Sequence, residues 1–332
     1  MRKMLTRSFA TINLPQNNQT GGIPITKRIL GPLAILWILL LWSNLSAAGD
    51  LRLTVRSAIL MDMTTGRILF THNADDPLPP ASITKVLSLY LADEAIRNGK
   101  VRPTDPVKIS RKAGRTGGSK MFIQAGSEIP LEELLKGMAV VSANDASVAV
   151  AEYIGGDVER FVEQMNRKAR ELGMNRSFFK NPNGLPARGQ FTTARDIMIL
   201  AGDYLRRFPE SLDLHSQQYY TYHDITQRNR NSLLGQYPNA DGLKTGWVAK
   251  GGYHIVATAK RGNTRLIAVV MGAKTPSIRA REAERLLDEG FRMVREDPLR
   301  DRPILSEGCP TGYGRVASES RRSSQVDSGS RS

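Results

Sequence analysis

Three short motifs occur in one order along this chain of 332 residues: Ser82-Ile83-Thr84-Lys85, then Ser142-Ala143-Asn144, then Lys244-Thr245-Gly246. A fold that uses them together must bring positions 82, 142 and 244 to one cleft, although about 160 residues separate the first from the last. The first motif alone says little. Ser and Lys are each common residues, and Ser177-Phe178-Phe179-Lys180 repeats the pattern. The second and third motifs occur once each, and Lys274-Thr275-Pro276 fails at its last residue.

Local context separates Ser82 from Ser177. Ser82 follows Pro77-Leu78-Pro79-Pro80 and precedes Val86, Leu87, Leu89, Tyr90 and Ile96, an apolar stretch that runs to Asn98-Gly99. That is the pattern of a helix with Ser82 at its N-terminus, where unpaired N–H groups and the helix dipole favour negative charge. Lys85, three residues on, shares its face. Ser177 instead runs into the turn cluster Asn181-Pro182-Asn183-Gly184. The second motif lies between two apolar stretches of helical look, and the third precedes two runs of strand composition, 253–259 and 266–271, broken at Arg261-Gly262-Asn263.

The flanks give the architecture. Residues 54–62 and 67–72 around Thr64-Thr65-Gly66 read as a hairpin that starts a sheet. The two runs after the third motif complete it, mainly antiparallel. Residues 277–294 carry Ile278, Ala283, Leu286, Leu287, Phe291 and Val294 at helical spacing, a helix to pack across the sheet. The middle, 131–205, reads largely helical, so the expected α/β (α+β) fold has an all-helical subdomain inserted between early and late strands. The site is expected at their junction.

Residues 1–48 hold Arg2, Lys3, Arg7, Lys27 and Arg28 and no acidic residue, then an apolar core at 33–42, then Ser46-Ala47-Ala48. This is the layout of a secretory signal peptide cleaved near Ala48, and it places the product outside the cytoplasm, in a periplasm or cell envelope. An uncleaved anchor over 29–45 is the alternative; its apolar run is short for a spanning helix. Residues 49–297 form the expected folded domain, and the Ser- and Arg-rich stretch 298–332 a disordered tail. Roughly half of the formal charge of +15 falls on the domain, which favours anionic surfaces such as cell-wall polymers or lipid headgroups. Nothing in the chain reads as a nucleic-acid module. A single cysteine, Cys309, excludes an intrachain disulfide, and four scattered histidines lack metal-type spacing. No metal or organic cofactor is expected.

The three motifs, with Asn181-Pro182-Asn183-Gly184-Leu185, Thr192-Thr193-Ala194, Asn229-Arg230-Asn231, Asp241-Gly242-Leu243 and Arg281-Glu282-Ala283-Glu284, make the chain resemble the penicillin-recognising serine enzymes. The middle motif, with Ala143 where others have Asp, resembles that of the low-molecular-weight D-alanyl-D-alanine carboxypeptidases. The resemblance runs from about Ser57 to Arg295 and implies a β-lactamase/transpeptidase-like fold.

It also implies roles. Ser82 would be the nucleophile that forms an acyl-enzyme with a peptidoglycan stem peptide ending in D-Ala-D-Ala, or with a β-lactam antibiotic. Lys85 would be its base, made competent by burial and by the second cation Lys244, since an ordinary lysine stays protonated at neutral pH. Ser142 would relay the proton to the departing D-alanine, and Asn144 would hold the peptide amide. The backbone N–H groups of Ser82 and Trp247 would form the oxyanion hole. Lys244, Thr245, Gly246, Arg281 and Arg230 would bind the terminal carboxylate region. The rival readings are a DD-endopeptidase on cross-links, a class A-like β-lactamase with Glu171 as deacylating carboxylate, and a non-catalytic wall-binding or penicillin-sensing protein. Against the lactamase, Glu171 continues a helical pattern begun at Phe161.

Overall fold

The computed structural model describes residues 51–297. The expected leader, the tail and Cys309 lie outside the described residues.

The chain opens with the hairpin β1 (Ser57–Asp62) and β2 (Ile68–His72). Its turn is set by Gly66 at φ +80° and by the Asp62 carboxylate, which accepts from the Thr64 N–H and the Thr65 hydroxyl. A single 3₁₀ turn, Ala81–Ile83, leads into α1 (Thr84–Arg97). Then come β3 (Pro106–Lys108), α2 (Arg111–Arg115), β4 (Glu128–Pro130), α3 (Leu131–Lys136), a wide π-type turn at Gly137–Val141, α4 (Asn144–Gly155), α5 (Val158–Glu171), α6 (Ala194–Arg207) and α7 (Ser211–His215). The short hairpin β5 (Tyr219–Tyr222) and β6 (Ile225–Arg228) precedes β7 (Ala240–Val248), β8 (Gly252–Arg261), β9 (Thr264–Ala273) and the closing α8 (Pro276–Glu296).

The main sheet is antiparallel in the order β2-β1-β9-β8-β7. First and last thirds of the chain thus share one sheet, with the helical middle inserted between them. Alternation along the strands gives the sheet two buried faces. Leu60 and Leu266 point at α8, where a Cβ on Gly290 would lie 2.6 Å and 2.8 Å from their methyl groups. Met61 points the other way, at α6, where a Cβ on Gly202 would lie 2.9 Å from its terminal methyl. Ile59, Met61, Val256, Ile267, Val269 and Met271 join the core shared with the helical region. α8 starts where Thr275 accepts from the Ile278 N–H with Pro276 in the first turn, a strong start signal. It buries Ala283, Leu286, Leu287 and Val294.

The expected hairpin, the two late strands, the closing helix and the inserted helical region are all present. One difference concerns the third motif. It lies within a strand, β7, at the free edge of the sheet, and does not merely precede the strands.

Candidate active site

Each motif arrives by a different route. Ser82 sits in the 3₁₀ turn ahead of α1, and Lys85 in the first turn of that helix. Ser142 ends the π-type turn, and Asn144 begins α4. Lys244, Thr245 and Gly246 come in along β7. Ser82, Ser142, Thr245, Gly246, Trp247 and Arg230 border one cleft of about 460 Å³, together with Ser119, Tyr253 and Arg279.

Gly246 explains how strand and turn meet. A Cβ there would stand 3.0 Å from the Ser82 backbone nitrogen and 3.0 Å from the Ala81 Cβ, so only glycine lets the edge of β7 come this close to the nucleophile. Gly184 does the same from the other side, where an added Cβ would be 1.7 Å from the Ala81 carbonyl oxygen.

Lys85 is wholly buried. Its Nζ lies 3.1 Å from Ser82 Oγ, 2.7 Å from Asn144 Oδ1 and 2.7 Å from the Asn183 carbonyl oxygen. Burial, and after it the charge of Lys244, holds its pKa well below a lysine's ordinary value, while Asp145 opposes the shift. A neutral amine has two protons and one lone pair. Asn144 Oδ1 and the Asn183 carbonyl can only accept, so they take the two protons and leave the lone pair for the Ser82 hydroxyl. Lys244 is also buried, and its pKa is pushed down to about 7 by burial and by Arg279 and Arg230.

Ser142 occupies the left-handed region, φ 64°, which a non-glycine residue visits at a cost and mostly at functional sites. Its Oγ is buried and, among the described residues, has no hydrogen-bond partner. The Asn144 side chain is already engaged within the protein. Its Oδ1 accepts from Lys85, its Nδ2 donates to the Gly117 carbonyl at 2.8 Å, and it is only 4% exposed. It fixes the position of the Lys85 amine.

Arg281 lies apart from the residues that border the cleft. Its guanidinium bonds to Glu282 and its side chain is 60% exposed. Arg279 borders the cleft instead. Two residues along a helix turn a side chain through about 200°, so one arginine of the pair faces the cleft and the other faces away.

Three contributors escape the sequence patterns. The Asn183 carbonyl acts through backbone, which no side-chain pattern reports. Asp145, fully buried, accepts from the backbone N–H groups of Met121, Phe122 and Ile123. It thereby holds the loop whose Gly117 and Ser119 carbonyls seat Asn144. Its position directly after the second motif is the one signal that could have found it. Arg279 is the third, two residues before Arg281.

The alternatives lie elsewhere. Ser177 Oγ bonds to Asp196 at 2.6 Å and to Thr192, and the Lys180 ammonium stands over the Phe178 ring. Glu171 ends α5, is 61% exposed and pairs with Lys168.

Residues 44–275 match the family model described as D-alanyl-D-alanine carboxypeptidase. The chain belongs to the D-alanyl-D-alanine carboxypeptidase family. It is 39% identical over 289 residues to the D-alanyl-D-alanine carboxypeptidase DacF of Bacillus subtilis, covering 83% of this chain and 74% of that one. It is 41% identical over 244 residues to DacC of Escherichia coli, covering 71% of this chain and 61% of the other. Penicillin binding protein 5 of Haemophilus influenzae superposes with a TM-score of 0.71 at 39% identity, over 73% of this chain and 72% of that structure. The chain spans about three fifths to three quarters of these relatives' length.

Proposed function

We propose that this chain is a serine D-Ala-D-Ala carboxypeptidase that removes the terminal D-alanine from peptidoglycan stem pentapeptides and is acylated by penicillins at Ser82. The observation that carries the proposal is the hydrogen-bond set of Lys85: two obligate acceptors and one hydroxyl around a buried amine whose pKa burial and Lys244 hold well below its ordinary value.

In the first half-reaction Ser82 Oγ attacks the penultimate carbonyl carbon while its proton passes to Lys85 Nζ. The oxyanion forms against the backbone N–H groups of Ser82 and Trp247, the latter next to Gly246, where β7 meets the Ser82 turn. A donor of this kind is worth about 3–4 kcal/mol in the transition state. Ser142 passes a proton to the departing nitrogen, the C–N bond breaks, and D-alanine leaves. Water then attacks the ester with Lys85 again as base, regenerating Ser82 and releasing the shortened peptide. Lys244, Thr245, Arg279 and Arg230 hold the free carboxylate, which selects a chain end. Asn144 keeps Lys85 oriented.

Among the described residues no glutamate lines the cleft, and Glu171 is at the surface, paired with Lys168. The penicillin adduct is therefore long-lived, which separates this reading from the β-lactamase one. Among the described residues no helix is long and apolar enough to cross a membrane. Export on a leader ending near Ala48, with the domain of residues 49–297 acting at the wall and 298–332 as a tail, completes the proposal.

Incubation with a synthetic pentapeptide ending in D-Ala-D-Ala tests it. Free D-alanine is expected in step with tetrapeptide, and both stop when penicillin is added first. Folded protein that releases no D-alanine refutes the reading.

A further inference from the structure

Outside the motifs, one buried side chain is tied to the turn that carries the nucleophile. His254 lies on β8 directly opposite Gly246 of β7, so its ring projects from the sheet face that Gly246 opens toward Ser82. The ring is fully buried. The β8–β9 register shifts between Tyr253 and Ile255, and Gly272, at φ +79°, lies in the slipped stretch. Such a bulge leaves a backbone N–H without a ladder partner. Here the Gly272 N–H donates to His254 Nδ1 at 2.9 Å. His254 Nε2 is 3.0 Å from the Pro79 carbonyl oxygen.

These two partners demand the same tautomer. An N–H needs a bare Nδ1, and a carbonyl needs a protonated Nε2. Burial keeps the ring neutral by pushing its pKa down to about 4, so the tautomer persists. Gly251 shelters the bond, since a Cβ there would stand 3.0 Å from Nε2 and 3.2 Å from the Pro79 oxygen.

The Pro79 carbonyl matters because it sits just upstream of the nucleophile. After Pro80 comes Ala81 at φ +51°, a strained conformation for alanine, and then Ser82. Strain of about 1–3 kcal/mol persists only where the surroundings over-determine it. Gly184 and Gly246 press on the turn from two sides, and the upstream end is held by His254.

The geometry points to His254 as a positioning residue for the nucleophile: by bonding the Pro79 carbonyl to the β8–β9 bulge, it holds the strained Ala81–Ser82 turn against the edge of β7. This rests on Ser82 being the acylated residue.

Two substitutions split the two bonds. His254→Gln places an amide N–H near the Nε2 position and loses the acceptor for Gly272. His254→Asn places a polar group near the Nδ1 position and leaves nothing to reach Pro79. His254→Phe removes both. Each full-length variant is melted, and its acylation by penicillin is followed across concentration. Misplacing a reacting atom by about 1 Å costs on the order of a hundredfold. The saturating acylation rate should therefore fall about ten- to a hundredfold in Asn and Phe and stay within about threefold of the parent in Gln. The half-saturating concentration should move little in any of them. Loss of Gly272's acceptor lowers the melting temperature of Gln without a matching loss of rate. Gln as slow as Asn, rates that follow melting temperature across all three, or three variants at the parent rate would each overturn the inference. A parent protein carrying no adduct on Ser82 would instead sink the carboxypeptidase reading itself.

Discussion

The same four-residue pattern occurs twice in this molecule, at Ser82–Lys85 and at Ser177–Lys180, and the two copies have opposite fates. At the first, serine and lysine share a buried corner with one hydrogen bond between them and two carbonyl oxygens completing the amine's shell. At the second, the serine hydroxyl is committed to Asp196 and Thr192, and the lysine reaches out over an exposed phenylalanine ring. Spacing is identical and chemistry is not. What makes a serine reactive is the desolvation of its neighbour and the set of acceptors around it, both supplied by residues far away in sequence.

The most severe way to break this comparison is to delete each hydroxyl. Ser82→Ala should abolish the penicillin adduct and D-alanine release, and Ser177→Ala should leave both at parent levels. Mass mapping of the labelled peptide decides which serine carries the acyl group. Next in size is the base. Lys85→Gln should slow acylation by about 10²–10⁴-fold, the usual contribution of a positioned general base, whereas Lys180→Gln should change it by less than about twofold.

The arginine pair of α8 gives a smaller effect. A charge-assisted bond to a carboxylate contributes about 1.5–3 kcal/mol. Arg279→Ala should therefore raise KM for the pentapeptide by about ten- to a hundredfold, with Arg281→Ala unchanged in the same steady-state assay.

The pH profile sharpens the contrast further. Lys85 works as the neutral amine, so kcat/KM must fall as pH drops through its lowered pKa. Lys244 must be charged to attract the substrate's carboxylate, so in the free enzyme kcat/KM must fall again as pH rises past about 7. Lys244→Gln removes the neighbouring cation, lets Lys85 hold its proton to higher pH and shifts the acid limb upward. An acid limb that does not move in this variant would show that Lys244 exerts no such influence on the base. The least of the effects is structural. Ser177→Ala should cost about 1 kcal/mol of stability through the lost bond to Asp196, visible in denaturant unfolding alone.

Much of this was legible in the sequence because it rested on periodicity or on side-chain identity. The first hairpin, β8, β9 and α8 are written in apolar alternation and helical spacing, and the motifs declare their hydroxyls and amines. The third motif hid its own strand, because Lys244, Thr245 and Gly246 interrupt the apolar run that would have announced β7. The Asn183 carbonyl was invisible, since every residue has one. Arg279 and Arg281 are equally good cations on paper, and only the pitch of α8 decides which faces the cleft. Asn144 could be named but not given its orientation, which depends on where Gly117 and Lys85 end up.

The shell around Lys85 draws one atom from the turn before α1, one from α4 and one from the 181–185 loop, the last two 59 and 98 residues away along the chain. A chain caught half-assembled thus lacks the complete set of acceptors around this amine. The environment of Lys85 belongs to the assembled helical region and to no single local segment.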